Sequence, residues 1–229
     1  MKWFGRFLTW KSFLALLLLL ALAVAAFSAE HSYARVLRRE ISSTFRMVHI
    51  TQFKAANSLS VPIAGESKML TEIIGAGSAF DGLLSSLGDL NRYSRELKKK
   101  LPQEESIAVT ALCSNISYYL QYSLPRNYGL PVAYELPGLH ESASDILFVP
   151  EAADIKKLSM IRDVNQILTE CSAPYLSEDM GICTFHISDL PEFYESVYIE
   201  IDSYLQENYG MQFSDSSFKH FFSAPPQQQ

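Results

Sequence analysis

The sequence predicts a mainly α-helical bundle with a long membrane-proximal helix and at most a small two-stranded β patch. Several long segments repeat apolar residues at helical spacing, and prolines or glycines separate these segments. A single apolar run lies near the N-terminus, and its core from Phe13 to Phe27 contains no polar residue. The remaining residues, about 200, suffice for one ordinary domain with its own core.

The apolar run, residues 12–29, is predicted to be a signal anchor or a signal peptide. A run of this length can span a bilayer or direct secretion and be cleaved. Small residues at Ala23 and Ala25, or at Ala26 and Ser28, would suit a peptidase. Retention is favoured because no proline or glycine lies between Gly5 and Pro62, so the helix has no break at which to be cleaved. We therefore expect a single-pass membrane protein, which would instead be secreted if the segment is removed.

Basic residues on both sides of the run set its predicted orientation. Lys2, Arg6 and Lys11 precede it without any acidic residue. The positive-inside rule then places residues 1–11 as a short cytoplasmic stub and residues 30–222 as an extracytoplasmic helical domain. Basic residues that follow the run keep the reverse topology open. Residues 223–229 are predicted to be a disordered tail.

Charge is distributed unevenly between the two halves of the chain. Residues 1–100 carry 14 basic and 7 acidic side chains, whereas residues 101–229 carry 5 basic and 18 acidic ones. The asymmetry fits a basic face turned to lipid headgroups, attraction between the halves, an acidic face offered to a basic partner, or simply two solvated faces. Nucleic acid is not expected as a partner, because the basic residues are spread along predicted helices and the sequence holds no recognisable nucleic-acid-binding module.

Helical periodicity and its breaks predict five helices in order. Their predicted extents are 30–57, 67–101, 102–124, 150–173 and 190–210. In the second, Gly75 and Gly77 indicate either a break or the close approach of another helix, and close packing is favoured. The short connection at Pro102 predicts that the second and third helices form an antiparallel hairpin.

Two short alternating or apolar stretches are candidate strands, 145–149 and 182–187, and they are predicted to pair with each other. The last helix is predicted to begin after Asp189 as N-cap, with Pro191 in its first turn, and to end at Gly210.

The sequence contains no signature of catalysis, a cofactor or a metal. The five histidines are dispersed, and Cys113, Cys171 and Cys183 form no CxxC pair. Cys171 and Cys183 could close a short disulfide loop, or all three thiols could be unpaired and mostly buried. No catalytic residue is assigned. The favoured function is protein–protein interaction, assembly or sensing at a membrane; the alternative is a secreted or anchored enzyme with an unrecognised active site.

Two segments are predicted to bind a protein partner. The proline-rich segment 125–139 combines tyrosine and leucine on an extended path, and the last helix places tyrosines beside acids. The candidate residues are Tyr128, Leu130, Pro131, Tyr134, Leu136 and Pro137 in the first segment, and Tyr194, Glu195, Tyr198 and Glu200 in the second. In each case the alternative is structural: the crossover packs over its own bundle, and the tyrosines flank the core while the acids face water.

Overall fold

The computed structural model describes residues 10–64, 66–97, 100–132, 146–176, 183–213 and 221–222. The predicted stub and disordered tail therefore lie outside the described residues, apart from residues 10 and 11. Backbone contacts divide the chain into two units, Met1–Glu40 and Ile41–Gln229. Helix α1, Trp10–Ile63, contributes to both units.

In the first unit, α1 presents apolar side chains to its surroundings. Leu18 and Leu19 are each 64% exposed, and no side chain in the most apolar window is buried. Ala15–Ser60 is, within the described part of the chain, the one helical segment long and apolar enough to cross a membrane. The exposure matters because the core helix of a soluble protein passes the same test of length and composition but is mostly buried. A signal sequence also passes it.

In the second unit, α1 buries one face against the rest of the domain. Phe45 is fully buried and stacks on Phe185, with ring centroids 4.1 Å apart, while Phe193 meets it edge to face at 5.5 Å. The same face continues with Val48, Ala55 and Leu59, all buried. The sequence predicts an apolar stripe along this helix at Val36, Leu37, Ile41, Phe45, Val48, Gln52 and Phe53. Val36 and Phe53 are exposed, whereas the other five residues are buried.

Helices α2, Leu70–Glu96, and α3, Gln103–Tyr118, form the predicted antiparallel hairpin. Gly77 near the start of α2 lies against the segment that follows the end of α3. A Cβ at Gly77 would be 2.6 Å from Gln121 Cγ, closer than a Cβ can approach, and 3.1 Å from Leu120 Cβ, which is tighter than most Cβ contacts. Helix α2 runs through Gly75 and Gly77 without a break. The prediction of close packing at this glycine is confirmed.

The third helix continues further than predicted. A π-helical turn, Tyr119–Ser123, follows α3, and a short helix α4, Leu124–Asn127, follows the turn. Pro125 was predicted to end the helix. It lies instead in the first turn of α4, where its lack of an N–H group costs nothing. Gly129 then reverses the chain with a positive φ of 65°.

The small two-stranded β patch exists, but one of its two predicted strands is wrong. Strand β1, Lys68–Met69, pairs antiparallel with β2, Leu147–Phe148. Within the predicted partner stretch, Cys183 forms only an isolated bridge with Leu176, and Ile187 begins a 3-10 helix. Residues 68 and 69 were predicted to be helical, but α2 begins only at Leu70, whose N–H donates to Ile146 O at 2.9 Å.

The last two long helices have nearly the predicted bounds. Helix α5 spans Ala152–Ser172 and continues into a 3-10 turn, Ala173–Tyr175, while α6 spans Leu190–Tyr209. Gly210 closes α6 in the left-handed conformation that a C-terminal glycine supplies. Asp189 occupies the predicted N-cap position. Its carboxylate, however, accepts the N–H of His186 at 2.8 Å and thereby caps the preceding 3-10 helix.

Candidate protein-binding surface

Helices α5 and α6 lie antiparallel, and three contacts define how they are aligned. Lys156 Nζ lies 5.3 Å from the ring centroid of Tyr209. About two turns further along α5, the hydroxyl of Tyr204 donates to Asp163 Oδ2 at 2.8 Å. At the other end of the pair, Cys171 lies within electrostatic range of Glu200. The C-terminal end of α5 therefore faces the middle of α6.

A groove opens between the two helices at that end. Its volume is about 280 Å³, and its lining residues are Ile167, Glu170, Cys171 and Glu200. Glu170 and Glu200 are exposed, whereas Ile167 and Cys171 are half-buried. Each helix thus places one carboxylate at the rim, above an apolar side chain and a thiol.

The groove concentrates negative charge without local compensation. Glu170 accepts only a neutral hydrogen bond, from Gln166 Nε2 at 2.8 Å, and no described basic side chain pairs with Glu170 or Glu200. The last turn of α5 carries no basic residue, so the partial negative charge of its carbonyl groups adds to that of the carboxylates. Burial first, and then the charges of Glu200 and Glu170, raise the pKa of Cys171 to about 11. The thiol is therefore protonated and unreactive near neutral pH.

The acidic character extends toward the start of α6. Burial, followed by the charges of Glu192 and Asp189, raises the pKa of Tyr175. Glu195 is exposed, and Ile199, the residue before Glu200, is 63% exposed. An exposed isoleucine surrounded by acids combines apolar contact with charge on the same helix. Protein interfaces contain this combination in their centres and rims.

The candidate residues on α6 have different environments. Glu195 and Glu200 are exposed, and Tyr198 is half-buried and stacks on Phe213 at 5.2 Å. Tyr194 is fully buried, and its hydroxyl donates to Asn91 Oδ1 at 2.7 Å. Tyr194 therefore belongs to the core, where burial raises its pKa. Of the four candidate residues on α6, only Glu195, Tyr198 and Glu200 therefore reach its outer surface.

The proline-rich segment is anchored to the domain where it is described. Tyr128 donates its hydroxyl to Asp154 Oδ2 at 2.8 Å, and the same hydroxyl accepts the N–H of Glu151 at 2.7 Å. Leu130 packs against Leu70 and Ile74, and Pro131 is half-buried. These contacts favour a structural role for this part of the crossover. Tyr134, Leu136 and Pro137 lie outside the described residues.

Asp154 is the centre of a buried polar cluster. Its side chain is 2% exposed, and its two oxygens accept hydrogen bonds from Tyr119, at 2.7 Å, and from Tyr128. Lys157 Nζ lies 3.9 Å from Asp154 Oδ1 and 5.2 Å from the ring centroid of Tyr119. Burial, and then the charge of Asp154, raise the pKa of Tyr119, so its hydroxyl keeps the proton that it donates. The cluster joins the π-helical turn and the residue that follows α4 to α5, and it is a structural feature.

A second polar cluster joins α1 to α5. His49 Nδ1 lies 2.9 Å from the hydroxyl of Ser172, and Asn165 Nδ2 donates to the backbone oxygen of Gln52 at 2.6 Å. Burial lowers the pKa of His49. A histidine beside a serine could in principle serve nucleophilic catalysis. Ser172 is fully buried, however, and its hydroxyl donates to Thr169 O at 2.9 Å, so no substrate can reach it in this fold.

The described cysteines are unpaired. Cys113 is fully buried, as one of the sequence-based alternatives expected, and burial raises its pKa to about 12. Cys171 and Cys183 are half-buried free thiols. In the part of the chain that the structure describes, no group of three or more potential ligand side chains could hold a metal ion.

Sequence reasoning missed the contribution of α5 to this surface. Ile167, Glu170 and Cys171 line the groove from α5. The sequence predicted Ile167 and Cys171 only as part of the apolar spacing of this helix, and Cys171 also as a candidate for a disulfide loop. Glu170 in a last helical turn without any basic residue was the available signal. The chain matches no protein-family model, no curated protein and no solved structure.

Proposed function

We propose that this protein is held in a membrane by α1 and acts by binding another protein through the acidic face formed by α5 and α6. The observation that carries the proposal is the groove whose two rim carboxylates, Glu170 and Glu200, have no described cationic partner. Exposed charges left uncompensated on one side of a small domain favour association with a surface of opposite charge.

The exposed apolar part of α1 supports membrane attachment. The leucines described between Leu16 and Leu22 are each about half or more exposed, from 47% at Leu17 to 64% at Leu18 and Leu19. Transfer of such side chains from water to hydrocarbon is favourable by about 0.8 kcal/mol per buried methylene group. We further propose that the segment is retained, with the helical domain on the extracytoplasmic side, from the basic residues that precede it.

Site-specific photocrosslinking in intact membranes tests the partner surface. The photoreactive amino acid benzoylphenylalanine replaces Ile199, which is 63% exposed on α6. We expect a crosslinked product of discrete mass that depends on light. The double substitution Glu195→Lys and Glu200→Lys should abolish it, because reversed charges repel a basic partner.

Ile107 provides the matched control, since it is a 58% exposed isoleucine on α3. Benzoylphenylalanine at this position should give no product of the same mass. Equal crosslinking at both positions, or a product at position 199 that survives both charge reversals, would refute the proposal.

A further inference from the structure

We infer that the groove between α5 and α6 receives an arginine or lysine side chain from a basic segment of the partner protein. This inference rests on the proposed function and specifies the chemistry of the partner. The first argument is size. A volume of about 280 Å³ is at the lower end of the volumes that hold small organic ligands, about 300–1,000 Å³. One long side chain fits within a groove of this size.

The second argument is the arrangement of polar and apolar groups. Ile167 offers an apolar contact for an aliphatic stem, while Glu170 and Glu200 approach from opposite helices and can accept hydrogen bonds from a charged head group. Arginine and lysine combine such a stem with such a head. The exposed Ile199 next to Glu200 extends the apolar contact to neighbouring residues of the same segment.

The third argument is charge complementarity. Two carboxylates line one concave surface, and the last turn of α5 beside it carries no basic residue, so the potentials of the two carboxylates add. Elsewhere in the described part of the chain an acidic side chain is neutralised by a basic one: Arg162 Nη2 lies 2.6 Å from Asp163 Oδ1. The groove carboxylates have no such partner among the residues that the structure describes. A cation supplied by another molecule completes the arrangement.

A bound metal ion is the competing occupant, and the structure argues against it. Glu170, Cys171 and Glu200 line one groove but do not approach closely enough to form a metal-binding group, and no other such group exists among the described residues. The raised pKa of Cys171 also disfavours the thiolate that a soft metal requires.

Fluorescence anisotropy with the full-length protein in detergent micelles tests the inference. The probe is a fluorescein-labelled peptide of alternating alanine and arginine, and its citrulline counterpart has the same shape without the charge. We expect the arginine peptide to bind and the citrulline peptide not to bind. Glu170→Gln with Glu200→Gln should weaken binding at low salt about tenfold or more, since each charge-assisted hydrogen bond contributes about 1.5–3 kcal/mol.

Glu66→Gln with Glu104→Gln is the matched control, because both residues are exposed, lie outside the groove and change the net charge equally. This control should change the affinity by less than about twofold, as expected for exposed and distant charges. Equal weakening by both double variants, binding of the citrulline peptide, or displacement of the arginine peptide by stoichiometric Zn²⁺ at constant ionic strength would overturn the inference.

The two proposals fail in different ways. If the arginine peptide does not bind while the Ile199 crosslink persists and remains sensitive to Glu195→Lys alone, α6 binds a partner without using the groove. If the crosslink at position 199 is also absent, the acidic face binds no partner and the proposed function is refuted.

Discussion

The carboxylate of Asp154 is the most deeply buried charge-bearing group that the structure describes, and its two tyrosine partners are unequal. Tyr119 is fully buried, whereas Tyr128 is half-buried and can exchange its hydrogen bond for one to water. Tyr119→Phe should lower the free energy of unfolding by about 2–3 kcal/mol, because it leaves a buried carboxylate oxygen without its donor. Tyr128→Phe should cost about 1 kcal/mol.

Urea denaturation of the full-length protein in micelles, followed by circular dichroism, compares the two variants. The Tyr128→Phe variant also serves as a functional control, since it should leave the Ile199 crosslink unchanged if the crossover is structural. Equal costs for the two substitutions, or loss of the crosslink with Tyr128→Phe, would contradict this account of the cluster.

Residue by residue, the sequence predicts charges better than it predicts the burial of aromatic side chains. The exposure of Glu195 and Glu200 follows directly from their acidity, because unpaired carboxylates remain in water. Tyr194 could have been assigned to the core, since it lies four residues after Leu190 and three before Val197, on one helical face. Its hydrogen bond to Asn91, more than one hundred positions away, could not have been predicted because it depends on tertiary packing.

At the scale of the elements, the contact between α2 and the end of α3 makes opposite predictions for two neighbouring glycines. Gly77→Ala would place a Cβ 2.6 Å from Gln121 Cγ and 3.3 Å from the backbone oxygen of Ser117. We expect it to destabilise the fold by about 1–3 kcal/mol, the usual cost of overpacking, which outweighs the gain in helix propensity. The shift would also disturb the hydrogen bond from Gln121 Nε2 to Asp81 Oδ2, now 2.6 Å.

Gly75→Ala is the matched control in the same helix, because a Cβ there would meet no atom within 4 Å. It should stabilise the protein by about 0.5–1 kcal/mol through helix propensity and reduced entropy of the unfolded chain. Thermal unfolding followed at 222 nm should therefore give midpoints on opposite sides of the wild-type value. Two midpoints shifted in the same direction would contradict the close contact between Gly77 and Gln121.

Element prediction succeeded where the signal was local and failed where it was not. Helix α6 was predicted within a residue because Pro191 and Gly210 mark its two ends. The strands β1 and β2 contain two residues each, too few to show alternation, and the paired positions 68 and 148 are far apart in sequence. Their pairing is determined by where α2 and α5 begin, which only the folded domain specifies.

At the scale of the whole molecule, the apolar helical segment near the N-terminus could be predicted from the sequence, whereas the groove between α5 and α6 could not. The apolar run is a composition signal carried by consecutive residues. The groove requires α5 and α6 to be aligned so that Glu170 and Glu200, which are thirty positions apart, line the same surface. Periodicity places each carboxylate on a helix but contains no information about that alignment.

The apolar segment makes the last prediction, which concerns membrane retention. Leu18→Arg should reduce integration into the membrane, because an arginine near the centre of a spanning helix costs about 2.5–3.5 kcal/mol on the insertion scale. Ser43→Arg on the same helix is the control, since Ser43 is exposed and lies beyond the apolar run. Alkaline carbonate extraction should leave the wild type and the control in the membrane pellet as a 25.8 kDa chain. Recovery of a shorter wild-type chain in the soluble extracytoplasmic fraction would mean that the segment is a cleaved signal peptide, so that the helical domain acts without an anchor.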